Sequence, residues 1–264
     1  MQPTVGVRLL VSYLGTDFHG FAAQPGQVTV AGALAAALER SLRHTVELTV
    51  AGRTDAGVHA WGQVVSFMAR ADVDVRALAR SLNRALRPSI VVRASELSPP
   101  GFNARHSATG RRYRYTIVNG AVPDPFWAAT AWHVGRPLDV RAMRLGCDPL
   151  LGEHDFSSFC RRPPVGSLVR FVRDARWEDR GEGILRFEIE ASSFCHQMVR
   201  SLVGTLVDMG LGRRRAGEMS GILRARDRAA AGQIAPPYGL CLWEVTYGDG
   251  LWEVTYPPGG TLSG

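Results

Sequence analysis

Lysine is absent from the 264-residue sequence, so all 31 residues counted as lysine or arginine are arginine. Because Schiff bases, pyridoxal-phosphate attachment and Walker A phosphate loops each require a lysine, the sequence excludes these three kinds of chemistry. The remaining guanidinium groups bind phosphates through paired hydrogen bonds and stack on bases. With a formal net charge of +7, the composition indicates a polyanionic partner.

Long apolar runs and closely spaced cysteines are absent as well. No segment of roughly twenty apolar residues occurs, so no membrane-spanning helix and no membrane partner are expected. The four cysteines, Cys147, Cys160, Cys195 and Cys241, form no Cys-x-x-Cys pair. Since the first eight residues also lack the basic region of a secretory signal, we expect free, buried thiols and a cytoplasmic protein.

Hydrophobic periodicity predicts alternating strands and helices in the first hundred residues. Apolar side chains alternate along a strand at residues 6–14. Thr29 is the expected N-cap of a helix over residues 30–43, and Asp74 caps a second helix that stops at Pro88. Further strands are predicted at residues 46–51, 58–68 and 90–97. The order is β-α-β-β-α-β, which is typical of ferredoxin-like and RNA-recognition domains.

The second part of the chain repeats this order. Strands are predicted at residues 111–118, 168–177, 184–191 and 240–247, and helices at 139–151, 194–209 and 216–226. Two copies of one topology predict an α+β fold with a central, mostly antiparallel sheet and a cleft between two ferredoxin-like, RNA-recognition-like halves. Residues 1–104 form the N-terminal half in this division, and residues 105–264 form the C-terminal half.

The C-terminal segment contains a repeat. The sequence LWEVTY at residues 242–247 recurs unchanged at residues 251–256. A short hairpin and a recent duplication with a redundant second copy both fit this pattern. We expect only the first copy to belong to the central sheet.

The loop GRTDAGVHA, at residues 52–60, is the densest candidate for chemistry. Its two glycines allow a close backbone approach to a ligand, and Arg53 precedes Asp55 by two residues. A nearby arginine favours an ionised carboxylate, as a nucleophile or base requires. An ordinary turn in which Asp55 caps its own backbone fits the same residues, and spacing alone favours this structural interpretation.

A strand with the sequence RRYRY, at residues 111–115, is the second candidate. Period-two geometry places Tyr113 and Tyr115 on one face, with Arg112 and Arg114 on the other. Aromatic rings interleaved with arginines bind single-stranded or flipped-out bases. A half-buried strand with a solvated basic face fits equally well.

The segment at residues 194–204 is the third candidate. Arg200 falls beyond the edge of its apolar helical stripe, where an arginine is either solvated or paired with a carboxylate. Metal sites are not expected, because the spacings of the nearby histidines and cysteines match no ligand signature. These residues are His154, Cys160, Cys195 and His196.

Five motifs together resemble those of the TruA family of tRNA pseudouridine synthases. They are DFHG at residues 17–20, GRTDAGVHA at 52–60, SATGRRYRY at 107–115, QMVRSLVGT at 197–205 and APPYGL at 235–240. The resemblance implies a homodimeric enzyme without cofactor or metal that isomerises uridine to pseudouridine at positions 38, 39 and 40 of the tRNA anticodon stem-loop. It makes Asp55 the catalytic residue.

The resemblance also implies roles for three substrate-binding residues. Tyr113 corresponds to a tyrosine that contacts the target base, and Arg200 to an arginine paired with the catalytic aspartate. Arg53 corresponds to an arginine that holds or displaces the flipped nucleotide. Several positions depart from the family pattern, which affects packing and RNA fit rather than the aspartate. They are Trp61, Asn103, His106 and Gly110.

Two alternative functions remain open from the sequence. A non-catalytic tRNA-binding or tRNA-folding protein explains the charge and the aromatic–arginine strand. It leaves Asp55 and its glycine-framed loop without a purpose, because a carboxylate repels phosphate. A pseudouridine synthase acting on another RNA has the same motifs, and only a panel of substrates separates it from a tRNA enzyme.

Overall fold

A computed structural model describes residues 3–161 and 166–248 of the chain. The strands are β1 (Thr4–Tyr13), β2 (Thr49–Val50), β3 (His59–Arg70), β4 (Ile90–Leu97), β5 (Ala108–Asn119), β6 (Trp132–Val134), β7 (Gly152–Asp155), β8 (Val169–Asp179), β9 (Ile184–Ala191) and β10 (Leu240–Tyr247). The helices are α1 (Val30–Leu42), α2 (Val75–Leu86), α3 (Val140–Leu145), α4 (Met198–Gly210) and α5 (Met219–Ala225). The predicted α+β class is confirmed. Across these described ranges, no helix has the length and apolar character needed to cross a membrane.

One continuous sheet contains all ten of these strands. Its order is β4-β1-β3-β10-β5-β9-β8-β7, with β2 beside β3 and β6 beside β5. Only the β3–β10 and β5–β6 pairs run parallel, so the predicted mostly antiparallel sheet is confirmed. Strand β10 lies between β3 and β5 and therefore joins the first and last parts of the chain. The division after residue 104 stays a prediction.

Local sequence signals predicted the first helices and several strands well. The Thr29 hydroxyl accepts a hydrogen bond from the Gly32 amide, and the Asp74 carboxylate accepts bonds from the amides of the first turn of α2. Strands β4 and β10 have the predicted bounds. The first LWEVTY copy thus lies in the central sheet, whereas the second copy falls outside the described residues.

Other predicted elements were wrong in length. The helix predicted at residues 139–151 ends at Leu145, because Pro149 lacks an amide hydrogen and its ring obstructs the preceding turn. The chain then forms β7, which the sequence analysis missed together with β6. The helix predicted from residue 194 begins at Met198, because Gln197 has a left-handed backbone with φ 66°. Strand β2 covers two residues rather than six.

Helix α4 is the most deeply buried helix of the fold. Met198, Leu202 and Leu206, spaced four residues apart along it, are fully buried. In this helix every residue except Arg200 is buried. A helix that is buried on all sides needs close neighbours, and an arginine in such a helix needs polar partners.

Gly204 allows the segment at residues 233–235 to lie directly against α4. A Cβ atom at Gly204 would stand 1.8 Å from the carbonyl oxygen of Gln233. Next to this approach, the Ala235 amide donates to the Arg200 carbonyl at 3.1 Å. Arg200 Nε in turn donates to the Ala235 carbonyl at 2.8 Å. The contact at Gly204 therefore fixes the side chain of Arg200.

We predict that Gly204→Ala lowers the free energy of unfolding by about 1–3 kcal/mol, because the added methyl group overpacks the contact with Gln233. Gly221→Ala is the matched control, since Gly221 lies in α5, is exposed and leaves open space where a Cβ would stand. That substitution should raise the free energy by up to about 1 kcal/mol through helix propensity. Urea unfolding of both variants measures the difference, and equal effects would contradict the proposed contact.

Candidate active site

A cavity of about 1130 Å³ opens between the loop at residues 51–58, strand β5 and the start of α4. Asp55, Tyr113, Arg200 and Arg53 all line it. Of the described residues that line the cavity, Asp55 is the only acid. The arginines that line it are Arg53, Arg105, Arg111, Arg161, Arg170 and Arg200. The structure thus brings the four predicted site residues together in one basic cavity.

Polar side chains of β1 and β3 hold the loop that carries Asp55. The hydroxyl of Tyr13 lies 2.8 Å from the Thr54 hydroxyl, and Gln63 Nε2 donates to the Gly52 carbonyl at 2.7 Å. The Phe21 amide donates to the Thr54 carbonyl at 3.0 Å. After Asp55, the Gly57 amide donates to the Phe18 carbonyl at 3.3 Å, so the position of Asp55 is set by the fold rather than by the loop alone.

Two glycines make the close packing of this loop possible. Gly20 and Gly57 have φ values of 86° and 77°, a conformation that other residues adopt at a cost. A Cβ atom on Gly20 would also stand 2.8 Å from the carbonyl oxygen of Thr54. The glycine of the predicted motif at residues 17–20 therefore lets a neighbouring segment approach the loop.

Arg111 joins the loop to the C-terminal part of the chain. Its guanidinium donates to the carbonyl oxygens of Ala51 at 2.8 Å, Ser192 at 2.9 Å and Arg105 at 3.1 Å. Burial lowers the pKa of Arg111 from its ordinary value, although arginine remains cationic in proteins. The sequence analysis placed Arg111 in a binding strand but missed this structural role.

The Asp55 carboxylate has a basic partner on each oxygen. Arg200 Nη1 lies 3.4 Å from Oδ2, and His196 Nε2 lies 3.3 Å from Oδ1. The side chain keeps 26 % of its surface exposed to the cavity. The structural interpretation of a turn that Asp55 caps with its own side chain is therefore wrong: the turn is closed through the backbone, with the Val58 amide donating to the Asp55 carbonyl.

The arginine that pairs with Asp55 is Arg200, as the family resemblance implies. Its guanidinium is only 15 % exposed and is also bonded to the Ala235 carbonyl. Arg53 is exposed and lines the cavity, but it is not an ion-pair partner of Asp55 among the described residues. The charge next to the carboxylate is thus supplied by α4 rather than by its own loop.

Tyr113 forms an aromatic wall of the cavity. Its ring is buried and stands edge-on to Phe194, with ring centroids 5.0 Å apart. Burial raises the pKa of Tyr113 above its ordinary value, and the charges of Tyr13 and Asp55 raise it further. The phenol therefore keeps its proton at neutral pH and presents a neutral ring and hydroxyl group beside the carboxylate.

Two of the three arginines in the RRYRY strand, Arg112 and Arg114, do not line the cavity. Arg112 pairs with Glu190 at 2.7 Å, and Arg114 pairs with Glu188, both glutamates lying on β9. Tyr115 is fully buried, and its hydroxyl donates to the Pro236 carbonyl at 2.8 Å. Of the alternating residues 112–115, only Tyr113 lines the cavity, as the binding interpretation of the strand requires. Arg112 and Arg114 belong to a half-buried, ion-paired face.

His196 is the site residue that sequence reasoning missed. Its spacing from His154 and the cysteines predicts no metal site, yet its ring lies next to the Asp55 carboxylate. Its position next to the motif at residues 197–205 was the available signal. No cluster of three potential metal-binding histidine, cysteine or acidic side chains is found within residues 3–161 and 166–248.

Comparison with known proteins gives one consistent family. A family model described as tRNA pseudouridine synthase matches residues 9–105 and 147–248. A protein of Brevibacillus brevis named tRNA pseudouridine synthase A is 43% identical over 242 residues, which cover 91% of this chain and 99% of that protein. A protein of Frankia casuarinae with the same name is 44% identical over 247 residues, which cover 92% of this chain and 89% of that protein.

A more distant relative supports the same conclusion. A protein of Bacillus subtilis with the same name is 37% identical over 244 residues, covering 91% of this chain and 98% of that protein. The two segments that the family model matches contain Asp55 and Arg200. Because the family model matches most of the residues and relatives match over nearly their whole length, the chain belongs to the tRNA pseudouridine synthase family.

Proposed function

We propose that this protein isomerises uridine to pseudouridine in tRNA, and that the modified uridines are those at positions 38, 39 and 40 of the anticodon stem-loop. The observation that carries the proposal is the accessible Asp55 carboxylate, fixed by Arg200 inside an otherwise basic cavity. Family membership supports the reaction. The choice of uridines rests on the resemblance of the motifs to the TruA family.

The residues of the cavity fit the chemistry of this isomerisation. The N1–C1′ bond of the nucleotide breaks, the uracil turns, and a bond forms from C1′ to C5. The base must first leave its stack, which costs a few kcal/mol, and stacking on an aromatic ring offsets part of that cost. Tyr113 supplies the ring, and Asp55 supplies the carboxylate, which either attacks the nucleotide or removes a proton from the sugar.

The remaining charges of the cavity suit the phosphate backbone. Arg53, Arg161 and Arg170 line the cavity, and guanidinium groups bind phosphate with two parallel hydrogen bonds. We assign to Arg53 the holding or displacing of the flipped nucleotide, because it is exposed and lies two residues from Asp55. A purely RNA-binding function would gain nothing from an acid at this place, because the carboxylate repels phosphate.

The two halves are proposed to be copies of one ferredoxin-like unit, residues 1–104 and 105–264. Their strand orders, β4-β1-β3-β2 and β10-β5-β9-β8, support this, since equivalent strands occupy equivalent places. We further propose that the protein acts as a homodimer in the cytoplasm, as the family resemblance implies. Light scattering of the purified protein tests the dimer, and a monomeric mass would contradict it.

Asp55→Asn is predicted to abolish turnover while tRNA affinity changes by less than about threefold, because the amide keeps the size of the carboxylate but not its charge or basicity. Release of tritium from tRNA labelled at uridine C5 measures turnover, and filter binding measures affinity. Wild-type release with none from the variant supports the proposal. Intact binding without release from either protein would favour the non-catalytic alternative.

The choice of uridines is tested with a set of tRNA transcripts. Replacing the uridines at positions 38, 39 and 40 with cytidine, one at a time and all together, should remove pseudouridine only from the replaced positions. Transcripts with uridines replaced elsewhere serve as controls. Pseudouridine mapping by chemical modification and primer extension gives the positions. Modification that persists in the triple replacement would show that another site or RNA is the substrate.

Arg200→Ala should lower kcat by about a hundredfold, because a charge that orients the catalytic carboxylate is lost. It should also lower the free energy of unfolding by about 1–3 kcal/mol, since the bond to the Ala235 carbonyl is lost too. Arg200→Lys is the control, because it keeps the charge but not the paired geometry of the guanidinium. Its kcat and its free energy of unfolding should lie between those of the wild type and Arg200→Ala. Wild-type kcat in the alanine variant would refute the role of the ion pair.

A further inference from the structure

Two cysteines that the proposed reaction does not use lie together at the wall of the cavity. Cys160 is buried, and Cys195 is half-buried and lines the cavity. The two thiols are close enough to shift each other's pKa, and Cys195 Sγ donates to the Leu168 carbonyl at 3.9 Å. One residue further along each segment, the Arg161 amide donates to the His196 carbonyl at 3.1 Å, so the backbones are held side by side.

Access favours Cys195 as the reacting thiol, because it is half-buried and lines the cavity, whereas Cys160 is buried and does not line it. The neighbouring Cys160 thiol lowers the pKa of Cys195, and the positive charge of Arg170 lowers it further against the effect of burial. The same contact and burial raise the pKa of Cys160. An accessible thiol that favours the thiolate and has a second thiol beside it is the usual arrangement of a redox-sensitive cysteine.

The other two cysteines provide the contrast within the same chain. Burial raises the pKa of Cys147 to about 12 and that of Cys241 to about 12. Neither lines the cavity. These two thiols are therefore internal standards for an unreactive cysteine.

We propose that Cys195 is a site of thiol modification, at which a low-molecular-weight disulfide forms a mixed disulfide that Cys160 resolves into a Cys160–Cys195 bond. In the first step, the Cys195 thiolate attacks one sulfur of the small disulfide and releases one thiol. In the second step, Cys160 loses its proton and attacks the Cys195 sulfur, which releases the second thiol. The two cysteines lose two electrons and two protons in total, and the small disulfide is reduced to two thiols.

The bond would disturb the site because of the neighbours of Cys195. Phe194 stands against Tyr113, and His196 touches Asp55. A disulfide draws its sulfur atoms to about 2.05 Å, so the backbone on both sides of Cys195 must adjust. Displacements of about 1 Å at a catalytic group are sufficient to lower rates strongly, so turnover should fall by about tenfold or more on oxidation. This consequence rests on the proposed function, whereas formation of the bond does not.

The bond is tested on the full-length reduced protein treated with oxidised glutathione and then alkylated under denaturing conditions. Peptide mass spectrometry should find a Cys160–Cys195 disulfide in the wild-type protein and alkylated Cys147 and Cys241. In Cys160→Ala the glutathione adduct should accumulate on Cys195, and in Cys195→Ser no adduct should form on Cys160. A Cys195 that reacts no faster than Cys147 in the wild-type protein would overturn the proposal, even if a variant fails to fold.

Turnover of the oxidised and reduced wild-type protein tests the consequence. Activity should fall by about tenfold or more with the disulfide and return with dithiothreitol. Cys147→Ser is the matched control and should respond like the wild type. A complete disulfide with unchanged turnover would overturn the inhibitory effect. If the reduced protein is inactive on every tRNA, the proposed function fails, while the peptide map still decides whether Cys195 is modified.

Discussion

The ion pair between Asp55 and Arg200 joins residues 145 positions apart in the chain, and the neighbouring contacts hold each end of it in place. On one side, side-chain bonds from β1 and β3 fix the loop of Asp55. On the other side, Arg200 is bonded to Ala235, whose approach to α4 requires Gly204. Because both charges are positioned by the fold, little reorganisation is needed when a nucleotide arrives, and this is how a protein stabilises developing charge.

The excess of arginine is distributed unequally over the two sides of the sheet. Arg112, Arg114 and Arg176 are each paired with glutamates of β9, so their charges are largely compensated. Among the described residues that line the cavity, six are arginines and only one, Asp55, is an acid. A cleft of one charge sign concentrates the field, so a polyanion is guided to the cavity rather than to the rest of the sheet. The net charge of the sequence alone did not show this distribution.

Sequence patterns predicted the elements that are stabilised by neighbouring residues. They missed the strands and contacts that depend on residues far away in the chain. Thr29 and Asp74 cap their helices through bonds within one turn, so α1 and α2 could be placed closely. The short strands β6 and β7 form because they pair with β5 and β8, respectively, and their own sequences show no periodicity that predicts a strand. At the site, motif resemblance identified Asp55, Tyr113 and Arg200 as candidates. The contact of His196 with Asp55 joins distant parts of the chain, and its one signal in the sequence was the adjacent motif at residues 197–205.

The late start of α4 explains why His196 was missed and why the site can form. If the helix began at Phe194 as predicted, residues 194–196 would point in directions about 100° apart around its axis. That geometry would change which of these side chains face Tyr113 and Asp55. The left-handed Gln197 lies in a turn that the Met198 amide closes on the Cys195 carbonyl, and the three side chains before the helix line the cavity together with Arg200 of its first turn. A locally unfavourable backbone conformation is therefore retained where it positions the groups around Asp55.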